Sequence, residues 1–211
     1  MSRLQEGRLR VALTFDAEHP DRPALPGTCE ALLDRLAARE IRASFFVQGR
    51  WAEAYPETVG RIVAGGHLVG SHSHYHARMP LLTDAGLAAD LADASAAIEA
   101  AAGVSPKPWF RCPFGAGADD ERVLAGIAAA GYRHVGWHVS ADDWEPTRGA
   151  DTIAADIVDG VMRGEDETVV LLHAWPTAML RALDSILARL TDAGARFVRV
   201  DELADPPVGV A

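Results

Sequence analysis

Short apolar runs alternate with helix-like segments along the whole chain, and this alternation constrains the fold more than any other feature. The runs Arg10–Asp16, Arg42–Gly49, His67–Ser71, Trp109–Pro113, Tyr132–Val139, Thr168–His173 and Arg196–Val200 read as strands. Most are short and continuously apolar, the pattern of strands covered on both faces. The intervening segments have helical spacing and helical punctuation. Thr28–Arg39 carries Leu32, Leu33 and Leu36, with Thr28 expected as N-cap. Pro56–Ala64 opens on proline and stops at Gly65-Gly66. Thr83–Ala102 stops at Gly103, Asp119–Ala130 opens on an acidic cap and stops at Gly131, and Ala150–Arg163 and Thr177–Ala193 follow the same rules.

Strands that alternate with helices predict a parallel α/β sheet with right-handed crossovers. Seven such units, the last helix reduced to a stub after Asp201, suit a closed or nearly closed barrel. A doubly wound open sheet is the second arrangement. No composition shift or low-complexity linker divides the chain, so residues 1–211 read as a single domain. No G-x-G-x-x-G follows the first strand and no P-loop is present, which argues against a nucleotide-binding site of either kind.

Thirty acidic residues against twenty basic ones leave a formal charge of −10. That balance argues against nucleic acid and anionic membranes as partners, since both need a positive field. Two cysteines, Cys29 and Cys112, exclude a disulfide-rich scaffold. No apolar run approaches the roughly 20 residues of a membrane helix. The leading MSRLQEGRLR lacks the apolar stretch of a secretory signal, so a cytoplasmic location is expected, or a secreted one if a signal has been trimmed away. Nothing in the sequence speaks to oligomeric state.

In a parallel barrel the chemistry lies at the C-terminal ends of the strands. Five strands here end in polar groups: Asp16, Glu18 and His19; His72, His74 and His76; Arg111; Asp142 and Asp143; and His173. Charge at the end of a buried strand is costly unless paired or used. His72 and His76, four apart, have a spacing that chelates a metal if the segment turns helically. A cation on two imidazoles commonly adds a carboxylate and keeps one position for water, and a second carboxylate then takes the water's proton. Asp16 and Glu18 can share those two roles. His173 is suited to proton donation, with Asp143 either orienting it or pairing with Arg111.

These residues together resemble the polysaccharide deacetylases, the NodB-homology or family four carbohydrate esterases. Five motifs appear in order between residues 14 and 173: Thr14-Phe15-Asp16; His72-Ser73-x-x-His76; Arg111-x-Pro113-x-Gly115; Asp143-Trp144; and Leu171-x-His173. The resemblance implies a single-domain deformed (β/α)7 barrel of parallel strands and metal-dependent hydrolysis of an acetyl group. It implies Asp16 as general base, His72 and His76 as metal ligands, and His173 as general acid. Arg111 would position the base. Leu171 and Trp144 would line the acetyl pocket, and the backbone of Phe114 would help hold the oxyanion. Tyr75, Phe114 and Trp175 are expected as a sugar-stacking rim.

The chain departs from the family pattern at two places. Ala17 stands where a metal-binding Asp usually follows the base, and Ser140 stands where the fourth motif's earlier Asp would be. Glu18 is therefore assigned as the carboxylate ligand, with His19 in reserve. Zinc is the expected ion, cobalt and nickel being suited to the same donors. The expected substrate is an acetylated amino sugar, free or polymeric. A small amide such as a cyclic imide or ureide is the alternative, and a non-catalytic module with a degenerate site is the third reading.

Overall fold

The computed structural model describes residues 9–19, 25–164 and 166–210. Within these residues eight strands form one sheet: β1 (Arg10–Ala17), β2 (Ser44–Val47), β3 (Leu68–Ser71), β4 (Trp109–Phe110), β5 (Arg133–His134), β6 (Val139–Ser140), β7 (Glu167–His173) and β8 (Arg196–Val198). Their order is β5-β4-β3-β2-β1-β7-β6, with β8 paired to β1, and every pairing is parallel. Among the described residues seven α-helices cover the sheet: α1 (Thr28–Ala37), α2 (Gly49–Ala54), α3 (Pro56–Ala64), α4 (Asp84–Ala102), α5 (Glu121–Ala129), α6 (Ala150–Arg163) and α7 (Thr177–Asp192). This is the curled single-domain barrel expected of a deformed (β/α)7 fold.

Strand β1 organises the molecule. It pairs with β7 along its length, with β8 at its start, and with β2 from Thr14 to Ala17. Because side chains alternate along a strand, its odd and even residues live in different surroundings. Val11, Leu13, Phe15 and Ala17 point to the helices and join the main hydrophobic core, together with Phe45 and Val47 of β2 and Val170 and Leu172 of β7. Ala12 joins a smaller inner cluster with Phe46 and Val169. Thr14 and Asp16 share that inner parity, as does His173 on β7, directly opposite Asp16 in register. A slip of one residue would send each of these polar groups into the helix layer.

The barrel is curled by one segment. The expected strand Tyr132–Val139 is two short pieces, β5 on β4 and β6 on β7, with residues 135–138 crossing between the two edges. The C-terminal tail lies against that crossing. Gly136 N–H donates to Pro207 O, Trp137 N–H donates to Gly209 O, and Trp137 pairs with Val210. A side chain at Gly136 would meet Gly209 O at 1.7 Å, so only glycine admits the tail.

Local punctuation mostly follows the sequence. Thr83 Oγ1 accepts from Gly86 N–H to cap α4, which closes at Gly103 in the left-handed region (φ 69). Asp120 accepts from the N–H groups of Arg122 and Val123 to cap α5. The cap of α1 differs from expectation. Gly27 is the N-cap (φ 84), and Thr28 instead donates its hydroxyl to Leu25 O. Helix α2, six residues long, is too short to show a period and has no sequence signature of its own. The stub after the last strand is a single 3-10 turn, Val200–Glu202.

Candidate active site

The polar strand ends converge on one cleft of about 420 Å³, lined by Asp16, Glu18, His72, His76, His173 and their neighbours. A larger groove of about 650 Å³ between α4 and α5 is walled mainly by alanine and leucine and lies apart from these groups.

Two ordered pairs stand out. Arg111, fully buried, donates from Nη1 to Asp16 Oδ1 (2.9 Å) and Thr14 Oγ1 (2.8 Å), from Nε to Val135 O (3.2 Å) and from Nη2 to Gly136 O (3.1 Å). Its guanidinium lies 4.1 Å from the centroid of the Phe46 ring. A buried charge with this many partners is compensated on every side. Thr14 in turn donates to Val170 O (2.6 Å), which fixes it as an acceptor for the guanidinium. The second pair is His173 with Asp143. Asp143 Oδ2 accepts the His173 backbone N–H (2.8 Å), and Oδ1 lies 2.7 Å from Nδ1. Burial alone would lower the His173 imidazole, but Asp143, Glu18 and Asp16 outweigh it and push it up to about 9. Its Nδ1–H is thus committed to Asp143, and Nε2 is the atom presented to the cleft.

Glu18, nearly fully buried, is the hub of the remaining groups. Its Oε2 lies 3.2 Å from His72 Nε2 and closer still to His76 Nε2. Its Oε1 lies 3.1 Å from His19 Nε2 and accepts from Trp175 Nε1–H (3.3 Å). Burial would raise this carboxyl, yet its contacts with His19, His72 and His76 and the charge of His173 hold it well below the usual carboxylate range. His72 Nδ1 lies 3.0 Å from Arg111 O, so this nitrogen carries the hydrogen and Nε2 faces Glu18 and Asp16. Burial opposes charge on His72, but Asp16 and Glu18 raise it above its ordinary value. Burial lowers His76. A carboxylate ringed by imidazole nitrogens, with a second carboxylate adjacent, offers a divalent cation the donors and the negative charge it needs. The donor atoms of Glu18, His19 and His76 all lie within 4.8 Å of one another.

The loop carrying the histidines is held from beneath. Ser73 and His76 both adopt left-handed backbone (φ 67 and 58), a conformation that persists only where surrounding contacts impose it. Ser73 Oγ accepts the His76 N–H (3.0 Å). Asp90, buried on α4, accepts the N–H groups of His74 (3.0 Å) and Tyr75 (3.1 Å) through its two oxygens. Asp90 was invisible in the sequence, where it is one acid among several on an alanine-rich helix. Gln48 was likewise missed; its Oε1 accepts the His19 N–H (2.9 Å).

The structure thus brings together Asp16, Glu18, His72, His76, Arg111, Asp143 and His173. Phe114, Trp144, Leu171 and Trp175 line the same cleft, as does Ser140. Phe114 (φ 58) packs edge-on to His76 beneath the Arg78 guanidinium. Tyr75 corrects one expectation. Its backbone is pinned by Asp90, its ring packs on His74, it is 63% exposed, and it does not line the cleft. Arg111 resolves another choice, pairing with Asp16 and leaving Asp143 to His173.

The chain as a whole is similar to known proteins. The family model for polysaccharide deacetylase matches residues 4–135. The chain is 30% identical over 200 residues to a peptidoglycan-N-acetylglucosamine deacetylase of Bacillus cereus, covering 93% of this chain and 68% of that protein. It is 34% identical over 167 residues to a chitooligosaccharide deacetylase of a Bradyrhizobium species, covering 79% and 71%. A family 4 acetyl xylan esterase from Clostridium thermocellum, solved in complex with a cobalt ion, has the same fold at a TM-score of 0.79 and 29% identity, covering 92% and 89%.

Proposed function

This chain belongs to the polysaccharide deacetylase family, and on that premise we propose that it is a metal-dependent hydrolase that removes the N-acetyl group from an amino sugar, free or within an oligomer or polymer. Glu18, His72 and His76 would hold the ion, with zinc the expected metal. When bound, such an ion polarises the acetyl carbonyl and lowers the pKa of a bound water.

The remaining work falls to this chain's own side chains. Asp16 takes the proton from the attacking water, with Arg111 fixing which carboxylate oxygen is free to do so. The backbone N–H of Phe114 stabilises the oxyanion that develops on the acetyl oxygen. His173 gives its Nε2 proton to the leaving amine as the carbon–nitrogen bond breaks, and Asp143 keeps it charged and oriented until then. Leu171 and Trp144 give the acetyl methyl an apolar wall.

The observation that carries this reading is the facing of Asp16 and His173 in register on neighbouring strands, each with its own buried partner, beside a carboxylate ringed by imidazoles. The test is zinc-loaded protein incubated with N-acetylated chitooligosaccharides, acetylated esters and cyclic imides. Acetate and free amine in equal amounts from the first set support it. Ring opening of the imides without acetate release would favour the small-amide alternative. Metal binding with no turnover of any substrate would favour a non-catalytic module.

A further inference from the structure

We propose that His19 is a protein ligand of the metal centre, so that three imidazoles and the Glu18 carboxylate surround the ion. The inference rests on the metal-dependent reading above and concerns the stretch where this chain departs from the family pattern. After Ala17 the strand ends, and the next two residues both turn into the site.

Three observations support a ligand rather than a passing contact. First, His19 lies in left-handed backbone (φ 58), uncommon for a non-glycine residue although histidine is among those that adopt it most often. Gln48, itself buried, holds the residue there through a side-chain oxygen that accepts the His19 N–H. Second, this conformation carries the ring inward. The side chain is only 16% exposed, its ring packs 4.6 Å from that of His76, and its donor atom joins those of Glu18 and His76 within one 4.8 Å group, outside which His72 reaches the same carboxylate at 3.2 Å. Third, the Glu18 carboxylate is divided between two sides. Oε2 serves His72 and His76, while Oε1 faces His19 Nε2 at 3.1 Å. Donor atoms on a tetrahedral ion with bonds of about 2.0–2.1 Å lie roughly 3.3 Å apart, close to that separation.

The competing account makes His19 a hydrogen-bond donor that merely orients Glu18. The two differ in which atom bonds the cation. A ligand offers the Nε2 lone pair and must be counted around the ion, whereas an orienting group keeps its N–H on Glu18 and is not counted. With His19 bound, water enters only as a fifth ligand, a number zinc reaches in some catalytic sites.

The test uses the full chain loaded with zinc. X-ray absorption at the zinc edge counts imidazoles through their outer-shell scattering. Three are expected, and two would overturn the proposal. Zinc affinity, measured by competition with a chromophoric chelator, should weaken in His19→Gln by at least about 10-fold, the lower end of what even an outer-shell partner is worth. An unchanged affinity would also overturn it. His76→Gln is the control and loses zinc under either account. If the wild-type chain binds no zinc, the metal-dependent reading itself fails, whereas two imidazoles with tight binding sinks only the role of His19. Should His19→Gln not fold, as judged by circular dichroism, the wild-type imidazole count still decides.

Discussion

The two faces of β1 show how one eight-residue strand serves two purposes. Val11, Leu13, Phe15 and Ala17 sit among helices and contribute stability by burying apolar surface. Thr14 and Asp16, one residue out of phase, are as deeply buried but polar, and they depend on Arg111 for compensation. Burial is the same on both faces; what differs is whether it yields free energy or consumes it. The outer face should therefore tolerate chemistry-neutral change at a cost in stability, while the inner face should lose function before it loses fold.

The sharpest break of that contrast is Asp16→Asn. It should lower kcat/KM for deacetylation by about 10²–10⁴, the usual worth of a general base, while zinc affinity stays within a few-fold. Steady-state kinetics beside a chelator competition measures both, and a wild-type rate would remove Asp16 from the base role. On the other face, Leu13→Ala should cost about 2–5 kcal/mol of unfolding free energy by the loss of a buried side chain, with kcat of the folded fraction unchanged. Urea unfolding and active-site-normalised rates check it.

Asp90→Asn sits between the two faces, since Asp90 touches only the backbone of the histidine loop. An amide cannot accept two N–H groups as the carboxylate does, so zinc affinity should fall by about 10–100-fold, with the circular dichroism spectrum retained. Equal affinity would make Asp90 a purely structural cap. Thr83→Ala, at the N-cap of the same helix two turns before Asp90, should cost only about 1 kcal/mol in a thermal or denaturant melt and leave zinc binding alone.

The His173–Asp143 pair adds a pH dependence with a definite sign. His173 is pushed from its ordinary 6.5 to about 9. As proton donor it should lose activity as pH rises through about 9. In Asp143→Asn the charge that raises it is gone, so that alkaline limb should move to lower pH. A limb that does not move would assign it to another group. The same shift stabilises the fold fully below pH 6.5 and is lost as pH rises through about 9, so the melting temperature of metal-free protein should fall across that window and fall less in the variant.

Much of this was legible in the sequence where local signals agreed. Helices α3 and α6 have the boundaries their proline, glycine and periodicity indicate, and the strand ends delivered the site because period-two alternation places Asp16 and His173 on one face. What was not legible depends on contacts remote in sequence. The break between β5 and β6 comes from the crossing segment meeting both sheet edges and from the tail at Pro207–Val210 lying against it. Asp90 and Gln48 act through backbone N–H groups 15 to 29 residues away, and no spacing rule reports such contacts. Tyr75 is expected on a sugar-stacking rim, but its N–H is taken by Asp90 and its ring packs on His74 away from the cleft lining, contacts that no spacing rule reports.

The inner parity of β1 and β7 sets Asp16 and His173 face to face, and the loops that follow β1 and β3 bring a cation site beside them. Anomalous diffraction at the zinc edge from a zinc-soaked crystal tests it most directly. The account predicts the strongest peak within about 2.0–2.2 Å of a Glu18 oxygen and of Nε2 on both His72 and His76, with Asp16 adjacent. A peak elsewhere on the chain, or none at this cleft, would contradict it.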